Sequence, residues 1–114
     1  MRGIIIGASL ALALTQVVLA EEPRSANAMM PGCRSFLSNV VPNALGAFDE
    51  GQCSGVMEGL LTAADQIICV PAGVTRNQTI RVVVQYIDQR PQRMHERFAT
   101  LAYEALKEAW PCKP

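Results

Sequence analysis

Cys33, Cys53, Cys69, Cys112 and His95 are the side chains of this chain with the most chemistry to offer. A thiolate beside an imidazole makes a nucleophile and its base, clustered thiolates hold zinc, and paired thiols close disulfides. A nucleophilic cysteine working with His95 would leave an odd thiol behind in an oxidising compartment. Zinc knuckles need two ligands a few residues apart, and the sequence contains no C-x-x-C pair. Two disulfides use all four cysteines. The expectation is therefore a non-enzymatic protein with no catalytic residue, no metal and no cofactor, in which His95 is a polar residue at a turn.

The compartment supports the disulfide reading. The chain opens MRGIIIGASLALALTQVVLA, with Arg2 as a minimal basic start, an uncharged run from Gly3 to Ala20, and the small-residue ending Val18-Leu19-Ala20 before Glu21. Residues 1–20 read as a removed signal peptide, which implies export to an oxidising compartment. The competing reading is an uncleaved membrane anchor, but Gly7, Ser9, Thr15 and Gln16 interrupt a run barely long enough to span a bilayer. Residues 21–26 read as a flexible polar leader, and residues 27–114 as one small helical domain. Aromatic residues make up only 5% of the chain, so the core is limited and covalent staples are useful.

The elements that must position the cysteines follow from local patterns. Helical sequence begins near Asn27, with Pro31-Gly32 expected to start or break a helix. Val40 to Gly51 reads as a connector. The next stretch places Cys53, Val56, Leu60, Ala64 and Ile67 on one helical face. Gly51, Gly55 and Gly59 recur beside that face. Each glycine costs roughly 1 kcal/mol in a helix, so the close approach of another backbone is expected there. Thr75 with Gln78 three residues on is a capping box that starts a helix at Arg76. Ile80, Val83, Val84 and Ile87 form its apolar stripe, and Arg90-Pro91 ends it. A last helix carries Phe98, Leu101, Ala102, Ala105, Leu106 and Ala109 inward and stops at Pro111.

The fold class expected is all-α, a compact bundle of four main helices stapled by two disulfides. A short segment joins the last two helices, so they run antiparallel, and the end of the last helix returns to the start of the third. That geometry pairs Cys112 with Cys69 and leaves Cys33 with Cys53.

Ten Lys plus Arg balance ten Asp plus Glu, which argues against nucleic acid as a partner. The signs are segregated along the chain, with acids such as Asp49 and Glu58 early and arginines late. The basic segment DQRPQRMHER places Arg90, Arg93, Met94 and Arg97 at a helix–helix corner, a candidate surface for an acidic partner. The plainer alternative is a solvated turn with Met94 packed inward. Asn77-Gln78-Thr79 matches a glycosylation acceptor formally, but a helix first turn is much the better explanation.

Five segments in order, NAMMPGCRSFL, GQCSGVMEGL, CVPAGVT, IRVVVQYIDQRPQRMHE and LAYEALKEAWPC, resemble the Rap/Tai family of type VI secretion immunity proteins. The most specific pieces are Cys53-x-Gly55 with Gly59, the turn Cys69-x-Pro71-x-Gly73-Val74-Thr75, and Trp110-Pro111-Cys112. The resemblance implies a small periplasmic helical protein, often a homodimer, that binds a secreted peptidoglycan amidase effector and blocks its cleft. It implies no membrane partner once the signal peptide is gone. A periplasmic stress or chaperone-like helical protein is the alternative, although ten acids and one histidine give little capacity for acid sensing.

Overall fold

Three polar side chains start three helices. Ser25 accepts from Ala28 N at 3.2 Å, Asn43 from Gly46 N at 2.8 Å and Thr75 from Gln78 N at 3.2 Å, each satisfying an amide that the first turn leaves without a partner. The computed structural model describes Gly3 and residues 22–114. It contains α1 (Ala26–Leu37), α2 (Ala44–Ala63), α3 (Arg76–Asp88) and α4 (Phe98–Ala109), with a 3-10 turn at Pro91–Arg93 before α4. The fold is an all-α bundle of four helices. The signal peptide read at residues 1–20 lies outside the described residues apart from Gly3. Among the described residues, no helix is long and apolar enough to cross a membrane.

Helices α3 and α4 bury the stripes expected of them. Ile80, Val83 and Ile87 are fully buried and Val84 nearly so, facing Phe98, Leu101, Ala102, Ala105 and Leu106. Ala109 is exposed, one turn past the last buried position. Met29, Met30 and Cys33 of α1 and Cys53 and Met57 of α2 complete the core.

Both disulfides pair as the helix order requires. Cys33–Cys53 ties α1 to α2 with a Cα–Cα distance of 5.3 Å, and Cys69–Cys112 spans 4.8 Å between the segment before α3 and the segment after α4. The second clasp is reinforced by the backbone. Cys69 N donates to Trp110 O at 2.8 Å and Cys112 N to Ile67 O at 3.1 Å, around an antiparallel bridge between Ile68 and Pro111.

Four local expectations are corrected. Pro31-Gly32 neither starts nor breaks a helix: Pro31 sits exposed inside α1, and the burial of Met29, Met30 and Cys33 around it outweighs the lost backbone bond. The connector is shorter than expected, because Asn43 caps α2 and helix begins at Ala44. The buried edge of α2 is Cys53, Ser54 and Met57, while Val56, Leu60 and Ala64 are only partly buried and Ile67 lies exposed beyond the helix end. Gly51, Gly55 and Gly59 face open space, since a Cβ on any of them meets nothing within 4 Å. The close approach occurs instead at Gly32, where a Cβ would stand 2.7 Å from the carbonyl carbon of Asp49.

Residues Ser25 and Ala26, which the sequence places in the leader, are buried at 1% and 0%. Ser25 forms an antiparallel bridge with Arg97, Ala26 N donates to Glu96 O and Phe98 N to Arg24 O, both at 2.9 Å. This short pairing ties the entry to α1 against the entry to α4.

Candidate binding surface

The basic corner is mostly consumed within the molecule. Arg93 donates to both of its acidic neighbours, Nε to Glu96 and Nη1 to Glu104 at 2.6 Å, with Nη2 reaching the second oxygen of each at 3.0 Å. Hydrogen bonds first to Glu96 and then to Glu104 push its pKa up. Those of Glu96 and Glu104 are held below the usual carboxylate range, chiefly by Arg93. The Tyr86 hydroxyl also donates to Glu104 at 2.9 Å. Burial first, and that hydrogen bond second, raise the phenol pKa. Arg90 lies over the Tyr86 ring, 3.6 Å from its centroid, and donates to Tyr86 O at 2.9 Å. Met94 packs against the core, and its carbonyl accepts from Asn27 N at 2.9 Å. The cluster pins α3, the 3-10 turn and α4 together. Of the four residues, Arg97 alone is exposed and turned to other neighbours.

His95 is exposed beside this cluster, and all four cysteines are bonded. No thiol is available to an imidazole. Among the described residues, no group of histidine, cysteine and carboxylate side chains converges as a metal site.

The unpartnered surface lies on α2 and the loop before it. Val40, Val41, Leu45 and Phe48 are 60 to 89% exposed. Residues 35–48, SFLSNVVPNALGAF, carry no charge at all. Along the outer face of α2, Leu45, Phe48, Gln52, Gly55 and Gly59 follow one another at helical spacing, and all are exposed. This helix has apolar residues around most of its circumference yet buries only one edge. A helix that is apolar all round ordinarily has cover on more than one side, and an apolar patch left in water marks an interaction surface.

A groove of about 510 Å³ opens where this face meets the Ser25–Arg97 pairing. Met29, Val56 and Phe98 line its base, and Arg24, Arg97 and Gln52 stand around it. Sequence reasoning singled out Arg97 but missed Arg24, Val41, Phe48 and Gln52. The long uncharged run before Asp49 was the available signal for the apolar end; Arg24 had no signal, because only the pairing of two distant segments brings it to Arg97.

The uncovered apolar residues of α2 and the loop before it mark an interaction surface. Comparison with protein-family models finds a match to Rap1a immunity proteins over residues 25–112, which covers most of the chain. The chain belongs to the Rap1a immunity protein family. The match begins at the α1 cap Ser25 and ends at Cys112, so the Rap1a domain coincides with the helical bundle and its terminal clasp. Comparisons with curated proteins and with solved structures find no match. The Rap1a assignment carries a protein partner with it: an immunity protein works by binding a secreted effector.

Proposed function

We propose that this protein is exported to the periplasm, where it binds and inhibits a peptidoglycan amidase delivered by type VI secretion. The observation that carries this reading is the family match across the whole folded domain. The signal-peptide pattern of residues 1–20 and the two disulfides agree with an oxidising, exported location.

The outer face of α2 and the loop before it form the effector-binding surface. Val41 is its most exposed apolar group and Phe48 its aromatic one, and aromatic anchors with nearby aliphatic side chains dominate the energetics of protein interfaces. A homodimer through the same face is the competing use of it.

The test is co-expression of the exported protein with each candidate amidase directed to the periplasm, scoring survival and recovering complexes. Protection together with a stable complex supports the proposal. Phe48→Asp and Val41→Asp, both at exposed positions, should leave the fold intact and abolish both readouts. Failure to protect against any amidase would overturn the amidase assignment. Protection that survives both substitutions would move the interface elsewhere, and conversion of a dimer to monomer by Phe48→Asp without loss of protection would assign the face to self-association.

A further inference from the structure

The groove beside α2 combines two features that ask for opposite ligand chemistry. Phe98 and Met29, 1% and 9% exposed, supply an apolar base together with Val56. Arg24 and Arg97 stand at its edge, brought together because Ser25 pairs with Arg97 and Phe98 N bonds Arg24 O. Neither arginine meets a carboxylate among the described residues, in contrast to Arg34, Arg76 and Arg93, which all do. Two cationic side chains that line one groove without a counter-charge favour an anionic ligand there.

Three further details narrow the ligand. Gly55 leaves the α2 backbone bare at the groove wall, with no atom within 4 Å of where a Cβ would be. Its cost to the helix is not repaid by helix packing, so the space itself is the feature to explain. Gln52 offers both a donor and an acceptor, the pair that a peptide group requires. Finally, α4 starts at the groove with Arg97 as its N-cap and no side-chain cap; Phe98 N is taken by Arg24 O, so the amides that follow it supply the positive end. The groove is open on one side. A free alkyl chain gains most from enclosure, whereas a segment of a folded partner brings its own cover.

We infer that this groove binds an extended peptide segment of the partner in which a carboxylate adjoins an aliphatic side chain. Arg24 and Arg97 hold the carboxylate, Met29, Val56 and Phe98 take the aliphatic group, and Gln52 bonds the peptide backbone. The inference rests on the immunity reading for its partner, but free peptide tests it without any effector.

The probe is acetyl-Gly-Glu-Leu-Gly-amide, titrated into the oxidised, isotope-labelled protein while the backbone amides of residues 52–56 and 97–101 are followed by NMR. Saturable shifts confined to these two segments are expected. Replacing Glu by Gln in the peptide, or making Arg24→Gln with Arg97→Gln in the protein, should weaken binding about tenfold or more. Gly55→Val should block it while leaving the spectrum of α3 unchanged. The two arginines are exposed, so the double variant should melt with the wild type. Shifts that ignore the Gln substitutions, or that fall outside these segments, would overturn the inference. Octanoate binding more tightly than the peptide would overturn the peptide occupant. Absent peptide binding with protection retained in cells would sink the groove and leave immunity standing.

Discussion

Two Gly→Ala substitutions in adjoining helices should shift stability in opposite directions. At Gly32 a Cβ would lie 2.7 Å from the Asp49 carbonyl carbon and closer still to its oxygen. Carbon atoms pack best at about 3.5–4.0 Å, so α1 and α2 would have to part by about 1 Å. The obstacle is backbone, which cannot swing aside as a side chain does, and the Cys33–Cys53 bridge one residue away holds the helices at a Cα–Cα distance of 5.3 Å. Overpacking of this kind costs roughly 1–3 kcal/mol, against a gain of up to about 1 kcal/mol from better helix propensity. A net loss of about 1–2 kcal/mol lowers the melting temperature by roughly 5–15 °C for a domain of this size. Gly55→Ala meets open space, keeps only the propensity gain, and should raise the melting temperature by a few degrees. Thermal melts of the oxidised proteins followed by circular dichroism decide it. A Gly32→Ala protein that melts at or above wild type, or a Gly55→Ala protein that melts below it, would refute the assignment of the close contact to Gly32.

Removing the bridges should cost unequal amounts, because they close loops of 20 and 43 residues. On the loop-entropy model, Cys33→Ala with Cys53→Ala loses about 3 kcal/mol, and Cys69→Ala with Cys112→Ala about 4 kcal/mol. Denaturant melts that reverse this order would show that native packing, not loop closure, sets the values. Glu96, Glu104 and Asp88 all have folded-state pKa values lowered by an arginine partner. Their contribution is therefore complete above the ordinary carboxylate pKa and disappears as pH falls through the lowered values, giving a neutral plateau and a decline below about pH 4. Glu104→Gln should lower the melting temperature at neutral pH, with the difference closing in acid; a difference that persists at about pH 2 would place its origin in packing, not charge.

Helices α3 and α4 were legible in the sequence because each is amphipathic with a single buried stripe, and Thr75 and Pro111 punctuate them. The disulfide pairing followed from their antiparallel return. Helix α2 was misjudged for a physical reason. Its apolar residues run round the helix, so periodicity does not say which of them are inside, and the glycines looked like a packing groove when they face open space. Gly32 carried no such pattern; its role depends on Asp49 lying opposite, which only the assembled hairpin decides. At the basic corner, the intramolecular partners of the arginines were only partly legible. Sequence shows Arg93 among arginines with Glu96 three residues on, and only the fold adds Glu104 from a turn and a half along α4.

The two bridges enclose successive stretches of chain, 33–53 and 69–112, and never interlock. Under tension applied outside them, force bypasses each enclosed stretch through sulfur, so α3 and α4 carry no load along their own backbones. Only the stretch before Cys33, the link from Cys53 to Cys69 and the tail after Cys112 can pay out, at about 3.3–3.6 Å per residue. Arg24 and Gly55 sit on those extensible stretches, while Arg97 and Phe98 sit inside the second ring. Tension applied to the chain ahead of Cys33 would thus draw on the Arg24 side of the groove through its own backbone while Arg97 and Phe98 ride on the closed second ring, making the groove the seam that such tension opens first.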